Sequence, residues 1–213
     1  MTEIKFCGLT RAADVEVAIG LGAAFVGAVF ASGPRRITAD QARSLFEGAR
    51  GARRVGVFGE QPVAEIARTA EAVALDVVQL HDDPTPAHAS AVKAATGLET
   101  WVVMRIANKL KESELDALIS SADAILFDAR VDGVLGGSGR VFDWSLITNL
   151  LDQHRRERTR IVLAGGLTPA VVRGAIAAVR PDVVDVSSGV EAGPGVKDHG
   201  LMRAFASAVR SAP

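Results

Sequence analysis

The chain has 213 residues, 48% of them hydrophobic, with 24 Lys and Arg against 25 Asp and Glu for a net charge of -1; this fits one compact domain spanning residues 1–213 with a sizeable core. The even charge balance argues against nucleic acid or an anionic membrane surface as partner, and no apolar run approaches the roughly 20 residues that a membrane span requires. A single cysteine leaves no disulfide and no zinc cluster of paired thiols, and the start of the chain lacks a signal-like pattern, so the expected location is cytoplasmic.

Short β-branched runs alternate with longer stretches rich in Ala, Arg, Glu and Leu. The first run, "EIKFCG", ends on Cys7, and the second, "AFVGAVF", is followed by "SGPRRIT" with Arg35 and Arg36. "TADQARSLFEGAR" then shows apolar residues at helical spacing behind a Thr start signal. "RRVGVF" and the helical "PVAEIARTAEAV" come next, then "LDVVQLH" with Gln79 and His81 on one face, and the helical "PTPAHASAVKAAT". "ETWVVMRI" ends near Arg105, "DAILFDA" carries Asp128, and "GGSG" at 136–139 follows it. "RIVLAGG" ends on Gly165 and Gly166, "TPAVVRGAIAAVR" has helical spacing, and "DVVDVSSG" ends on Ser188 and Gly189.

Eight such strand-like runs with intervening helices predict an α/β fold, a single (β/α)8 TIM barrel. A doubly wound open sheet is the alternative, but no GxGxxG follows the first run. In a barrel the chemistry sits at the C-terminal strand ends, where Cys7, Arg35, His81, Arg105, Asp128 and the late glycines fall, whereas Glu3, Arg53 and Arg160 mark the opposite end. Gly165, Gly166, Ser188 and Gly189 are candidate backbone donors for a phosphate, and Gly137 within "GGSG" is either part of the same site or a surface turn.

Cys7 and Asp128 are the candidate proton-transfer groups, ending strands on opposite sides of the ring. At this point Cys7 can equally be a small buried hydrophobe and Asp128 a loop cap. A thiol with an ordinary pKa near ~8.5 needs only a small downward shift to serve as a base. Lys5 shares a strand face with Cys7, and Asp185 on the last strand neighbours the first strand once a barrel closes, so an ion pair between them is expected beneath the site. One of Arg35 and Arg36 can grip a carboxylate while the other is a solvated charge. His88, His154 and His199 have no ligand-like spacing, and no metal is predicted.

The chain resembles the phosphoribosylanthranilate isomerase family nearly end to end. The motifs that carry the resemblance are "KFCGLTR", "GAVFASGPRRIT", "VVQLHDD", "LFDAR" followed by "GGSGRVFDW", "LAGGLTP" and "VDVSSGVEAGPGVKD". The resemblance implies an Amadori rearrangement of N-(5'-phosphoribosyl)anthranilate in tryptophan biosynthesis, with Cys7 as general base, Asp128 as general acid, Arg35 on the anthranilate carboxylate and no cofactor. The expected partner is a phosphorylated aminosugar, handled by a monomer or homodimer. The chain departs from the family in having "QLHDD" where many relatives have "QLHG", and Asp82 and Asp83 are expected to point outward. The related aminoaldose isomerase of histidine biosynthesis has an aspartate at the strand-one position, so Cys7 argues against it; a non-catalytic phosphate-binding protein is the third reading.

Overall fold

In the computed structural model, residues 1–105, 112–128, 148 and 159–213 are described. Eight parallel strands close into a barrel in chain order: β1 (Glu3–Phe6), β2 (Phe25–Val29), β3 (Arg53–Phe58), β4 (Val77–Leu80), β5 (Glu99–Arg105), β6 (Ala124–Asp128), β7 (Arg160–Ala164) and β8 (Val183–Val186). The closing contact pairs Lys5 with Asp185 in register. All eight predicted strands are present, and the open-sheet alternative is excluded by that closure.

Alternation along each strand builds two apolar layers. Outward residues such as Phe6, Val26, Val78 and Ile125 pack against the surrounding helices. Inward residues, among them Phe25, Val55, Val77, Trp101, Leu126 and Val162, fill the barrel. Its floor is plugged by Phe25 and Trp101, whose rings meet edge to face with centroids 4.9 Å apart. Below them Arg53 pairs with Glu99, Arg160 with Glu3 at 3.0 Å, and both arginines lie over the Phe25 ring. The predicted charged N-terminal end is therefore a set of paired charges over an aromatic plug, which closes the barrel interior from that side.

Helices start where their caps allow. Thr38 accepts from Gln41 N at 3.2 Å while the Gln41 side chain accepts from Thr38 N at 2.8 Å, a capping box that opens Ala39–Phe46. Thr85 caps Pro86–Thr96 through His88 N. Helix Val63–Val73 buries Ile66, Ala70 and Val73, one stripe at helical spacing. The stretch predicted helical from 168 instead makes a turn first: the Thr168 carbonyl accepts from Val171 N and Val172 N, and the helix runs Val172–Val179. An unpredicted hairpin of β9 (Glu191–Gly193) and β10 (Val196–Lys197) precedes the last helix, His199–Arg210. Among the described residues no helix is long and apolar enough to cross a membrane.

Candidate active site

A cavity of about 270 Å³ opens at the C-terminal ends of the strands. Its walls include Cys7, Arg35, Gln79, His81, Asp128, Gly165, Gly166, Ser188 and Gly189, so a single pocket gathers nine of the ten residues singled out from sequence. The tenth, Gly137, lies outside the described residues. Arg36 is exposed, the solvated member of its pair.

Cys7 follows β1 and is buried. Beneath it lies Lys5, fully buried, whose Nζ donates to Asp185 Oδ2 at 2.8 Å. This is the ion pair that strand alternation predicts. Burial works against the Lys5 ammonium, yet the Asp185 carboxylate outweighs it and raises the lysine pKa. The Cys7 thiol does not shift in the direction that would ease its action as a base. Burial, aided by the negative charge of Asp185, pushes its thiol up, and the opposing pull of Lys5 does not cancel this. Lys5 is already neutralised by Asp185, so little net positive charge is left to favour a thiolate in the ligand-free protein.

Asp128 ends β6 and is buried at the cavity wall. His81 stands nearby; burial lowers its pKa despite the Asp128 and Asp82 carboxylates, leaving a neutral imidazole near pH 7. Gln79 Oε1, His81 Nδ1 and Asp185 Oδ1 are the buried side-chain atoms without a protein hydrogen-bond partner among the described residues. All three residues line this cavity. Gln79 and His81 reach the cavity from β4 and Asp185 from β8 across the barrel, so unpaired polar atoms on two sides equip it to receive a hydroxyl-rich ligand.

The wall after β7 and β8 is made by the two glycine loops. Gly165 and Gly166 adopt positive φ of 86° and 67°, a backbone path that L side chains rarely follow. Gly189 packs so closely on the Leu167 carbonyl that a Cβ there would overlap it. The two loops are thus fitted together at the backbone.

One expectation is corrected. Asp82 borders the cavity instead of pointing wholly outward, and Arg105 at the end of β5 donates Nη2–H to its Oδ1 at 3.3 Å and offsets its charge. Asp83 is exposed, as expected. Arg105 stands on the rim at the end of β5, as expected from sequence, where it is engaged with these two aspartates, at 3.8 Å from Asp83, outside the cavity wall.

Sequence reasoning assigned no role to Glu191 or Lys197 on the hairpin. Arg35 donates Nε to Glu191 Oε1 at 2.8 Å and Nη2 to Oε2 at 2.6 Å, and Lys197 Nζ donates to Glu191 Oε1 at 2.8 Å and to the Ser187 carbonyl at 3.1 Å. Burial opposes ionisation of Glu191, but the hydrogen bonds from Arg35 and Lys197 hold its pKa down at about 2. The one available signal was the pair of opposite charges six residues apart in "VEAGPGVKD", around a turn rich in glycine and proline.

The chain matches the family model described as N-(5'phosphoribosyl)anthranilate (PRA) isomerase over residues 4–208. It is 42% identical to N-(5'-phosphoribosyl)anthranilate isomerase of Pseudomonas fluorescens strain Pf0-1, over 97% of this chain and 97% of that one. Among solved structures, phosphoribosyl anthranilate isomerase from Thermotoga maritima aligns with a TM-score of 0.86 at 35% identity, covering 99% of both chains. Another phosphoribosyl anthranilate isomerase, solved in complex with reduced 1-(o-carboxyphenylamino)-1-deoxyribulose 5-phosphate, aligns with a TM-score of 0.82 at 34% identity, again over 99% of both.

Proposed function

The chain belongs to the N-(5'-phosphoribosyl)anthranilate isomerase family of tryptophan biosynthesis, and from that premise we propose that it performs the reaction by general acid–base catalysis with Asp128 as acid and Cys7 as base. Asp128 protonates the ribose ring oxygen and the ring opens to an iminium ion. Cys7 then removes the proton on C2', and the resulting enolamine tautomerises to 1-(2-carboxyphenylamino)-1-deoxyribulose 5-phosphate. C2' is oxidised as C1' is reduced, so the electrons stay within the substrate and the reading calls for no cofactor.

The observation that carries this reading is the shared cavity, in which Cys7 and Asp128 face the same space as the two glycine loops and Arg35. Backbone N–H groups at Gly165, Gly166, Ser188 and Gly189 hold the phosphate, with Gly137 as a further contact. Arg35 meets the anthranilate carboxylate, while Gln79 and His81 meet ribose hydroxyls. Among the described residues one chain lines that cavity, in keeping with residues 1–213 acting as one catalytic unit; the reading takes that unit as a monomer or a homodimer in the cytoplasm.

The raised thiol pKa of Cys7 is compatible with this role once substrate is bound. An iminium carries positive charge next to C2', acidifies the proton to be moved and favours a thiolate facing it. The test is a fluorescence assay following loss of phosphoribosylanthranilate generated in situ. Cys7→Ala and Asp128→Ala are each expected to lose at least ~10²-fold in turnover while remaining folded; near-normal turnover in either variant removes that residue from the mechanism.

A further inference from the structure

Glu191 stands two residues beyond Gly189, at the start of the hairpin, with its side chain only 4% exposed. Both its oxygens are taken, by Arg35, Lys197 and the Gly195 N–H. A carboxylate so fully engaged offers nothing to a substrate, and its principal occupant is Arg35. That contact uses one edge of the guanidinium, the Nε–H and one Nη2–H. A guanidinium has five N–H groups, so the end edge still presents parallel donors on Nη1 and Nη2. Arg35 lines the cavity and its side chain is 23% exposed, whereas Lys197 is sealed beneath with no side-chain exposure.

We propose that Glu191 is a positioning residue for substrate recognition: it grips the side edge of the Arg35 guanidinium so that the end edge meets the anthranilate carboxylate. This rests on the reading of Arg35 given above. Without that grip a long side chain on the β2 loop has many rotamers to lose on binding. Lys197 completes the device. Glu191 alone would cancel Arg35 and set a negative charge behind the incoming carboxylate; the second buried cation leaves the cluster with one net positive charge. Because Glu191 and Lys197 ride on the hairpin that follows the β8 loop, and Lys197 also binds the Ser187 carbonyl, the phosphate loop and the carboxylate-gripping arginine share one support.

The test compares inhibition by the reduced carboxyphenylamino-deoxyribulose phosphate with inhibition by its phenyl counterpart lacking the carboxylate. In Glu191→Gln an amide replaces one acceptor and faces the guanidinium with its own N–H groups. The carboxylated compound is expected to weaken about 10-fold or more, the phenyl compound about twofold or less, and KM to rise with kcat little changed. Equal weakening of both compounds, or no weakening of either, overturns the proposal. Arg35→Met is the companion variant: if it shows no preference against the carboxylated compound, the Arg35 reading fails and the proposal with it. If Arg35→Met discriminates and Glu191→Gln does not, only the proposal fails. Thermal melting checks that Glu191→Gln folds; if it does not, Glu191→Asp, which keeps the charge but withdraws it by one methylene, is judged by the same criteria.

Discussion

Cys7 is the only thiol in the chain, which makes its chemistry directly measurable. Its environment is set by two neighbours on either side. Lys5 lies below it on β1, and Gly27 on β2 faces it with no side chain; a Cβ at 27 would stand 3.2 Å from Cys7 Sγ and 3.4 Å from Lys5 Cε. Gly27→Ala is therefore expected to displace the thiol by a few tenths of an ångström and to lower kcat about tenfold, with KM little changed, since positioning errors act on the proton-transfer step. Steady-state kinetics beside a melting curve check this: a variant with unaltered kcat would show that the close approach is mere packing. The raised pKa gives a second test. Alkylation by iodoacetamide proceeds through the thiolate, so in the ligand-free protein its rate should climb only above the range of an ordinary thiol. Lys5→Met removes the group that pulls the other way and should move that climb to still higher pH; a shift to lower pH would reverse the assigned sign. The Lys5 to Asp185 pair was legible in the sequence because strand alternation and barrel closure alone fix it. The direction of the Cys7 shift was not, because it depends on how completely the same two charges cancel beneath a buried sulfur.

Elements were legible in proportion to their length and to the strength of their end signals. Six-residue runs such as "RRVGVF" and capped helices such as Ala39–Phe46 announce themselves. The three- and two-residue strands of the hairpin carry no periodicity to read, and with them Glu191 and Lys197 escaped notice, since Arg35, the partner of Glu191, lies 156 positions away. The capping box at Thr38 supports a stability prediction. Thr38→Ala removes the acceptor for Gln41 N and is expected to cost about 1 kcal/mol, read from the urea midpoint at constant slope. Turnover should be unaffected, as the box is exposed and outside the cavity wall. At the loops after β7 and β8 the prediction concerns binding. Gly189→Ala must push apart two backbones in contact, Gly189 against Leu167, and so opens the proposed phosphate cradle. Inhibition by inorganic phosphate should weaken in that variant about tenfold or more, the scale of a lost charged hydrogen bond. Unchanged inhibition would mean that the phosphate is held elsewhere.

At the scale of the whole molecule, the barrel places nearly all its unusual electrostatics at one end and neutralises the other, and acid should therefore attack the fold through the site. Two groups make the sign explicit. Glu191 has a folded pKa of about 2 against an ordinary 4.5, so its contribution is complete above 4.5 and is lost as pH falls from there toward 2. His81 is half-buried and its pKa is lowered from 6.5, first of all by that burial; the unfolded chain binds the proton more readily, so stability rises with pH through this window and is complete only above 6.5. Lowering the pH from 7 to 5 in successive urea titrations should thus lower the unfolding midpoint well before the shifted carboxylates of Glu191, Asp14 and Asp76 begin to titrate. His81→Asn keeps a polar group of similar reach and removes the titration, so its midpoint should stay flatter between pH 7 and 5 while its loss below 4.5 remains. If wild type and His81→Asn fall in parallel across both windows, His81 is not carrying a buried neutral imidazole. The same measurement bears on catalysis, because a His81 that stays neutral at pH 7 can share the proton of a substrate hydroxyl without adding positive charge beside Asp128.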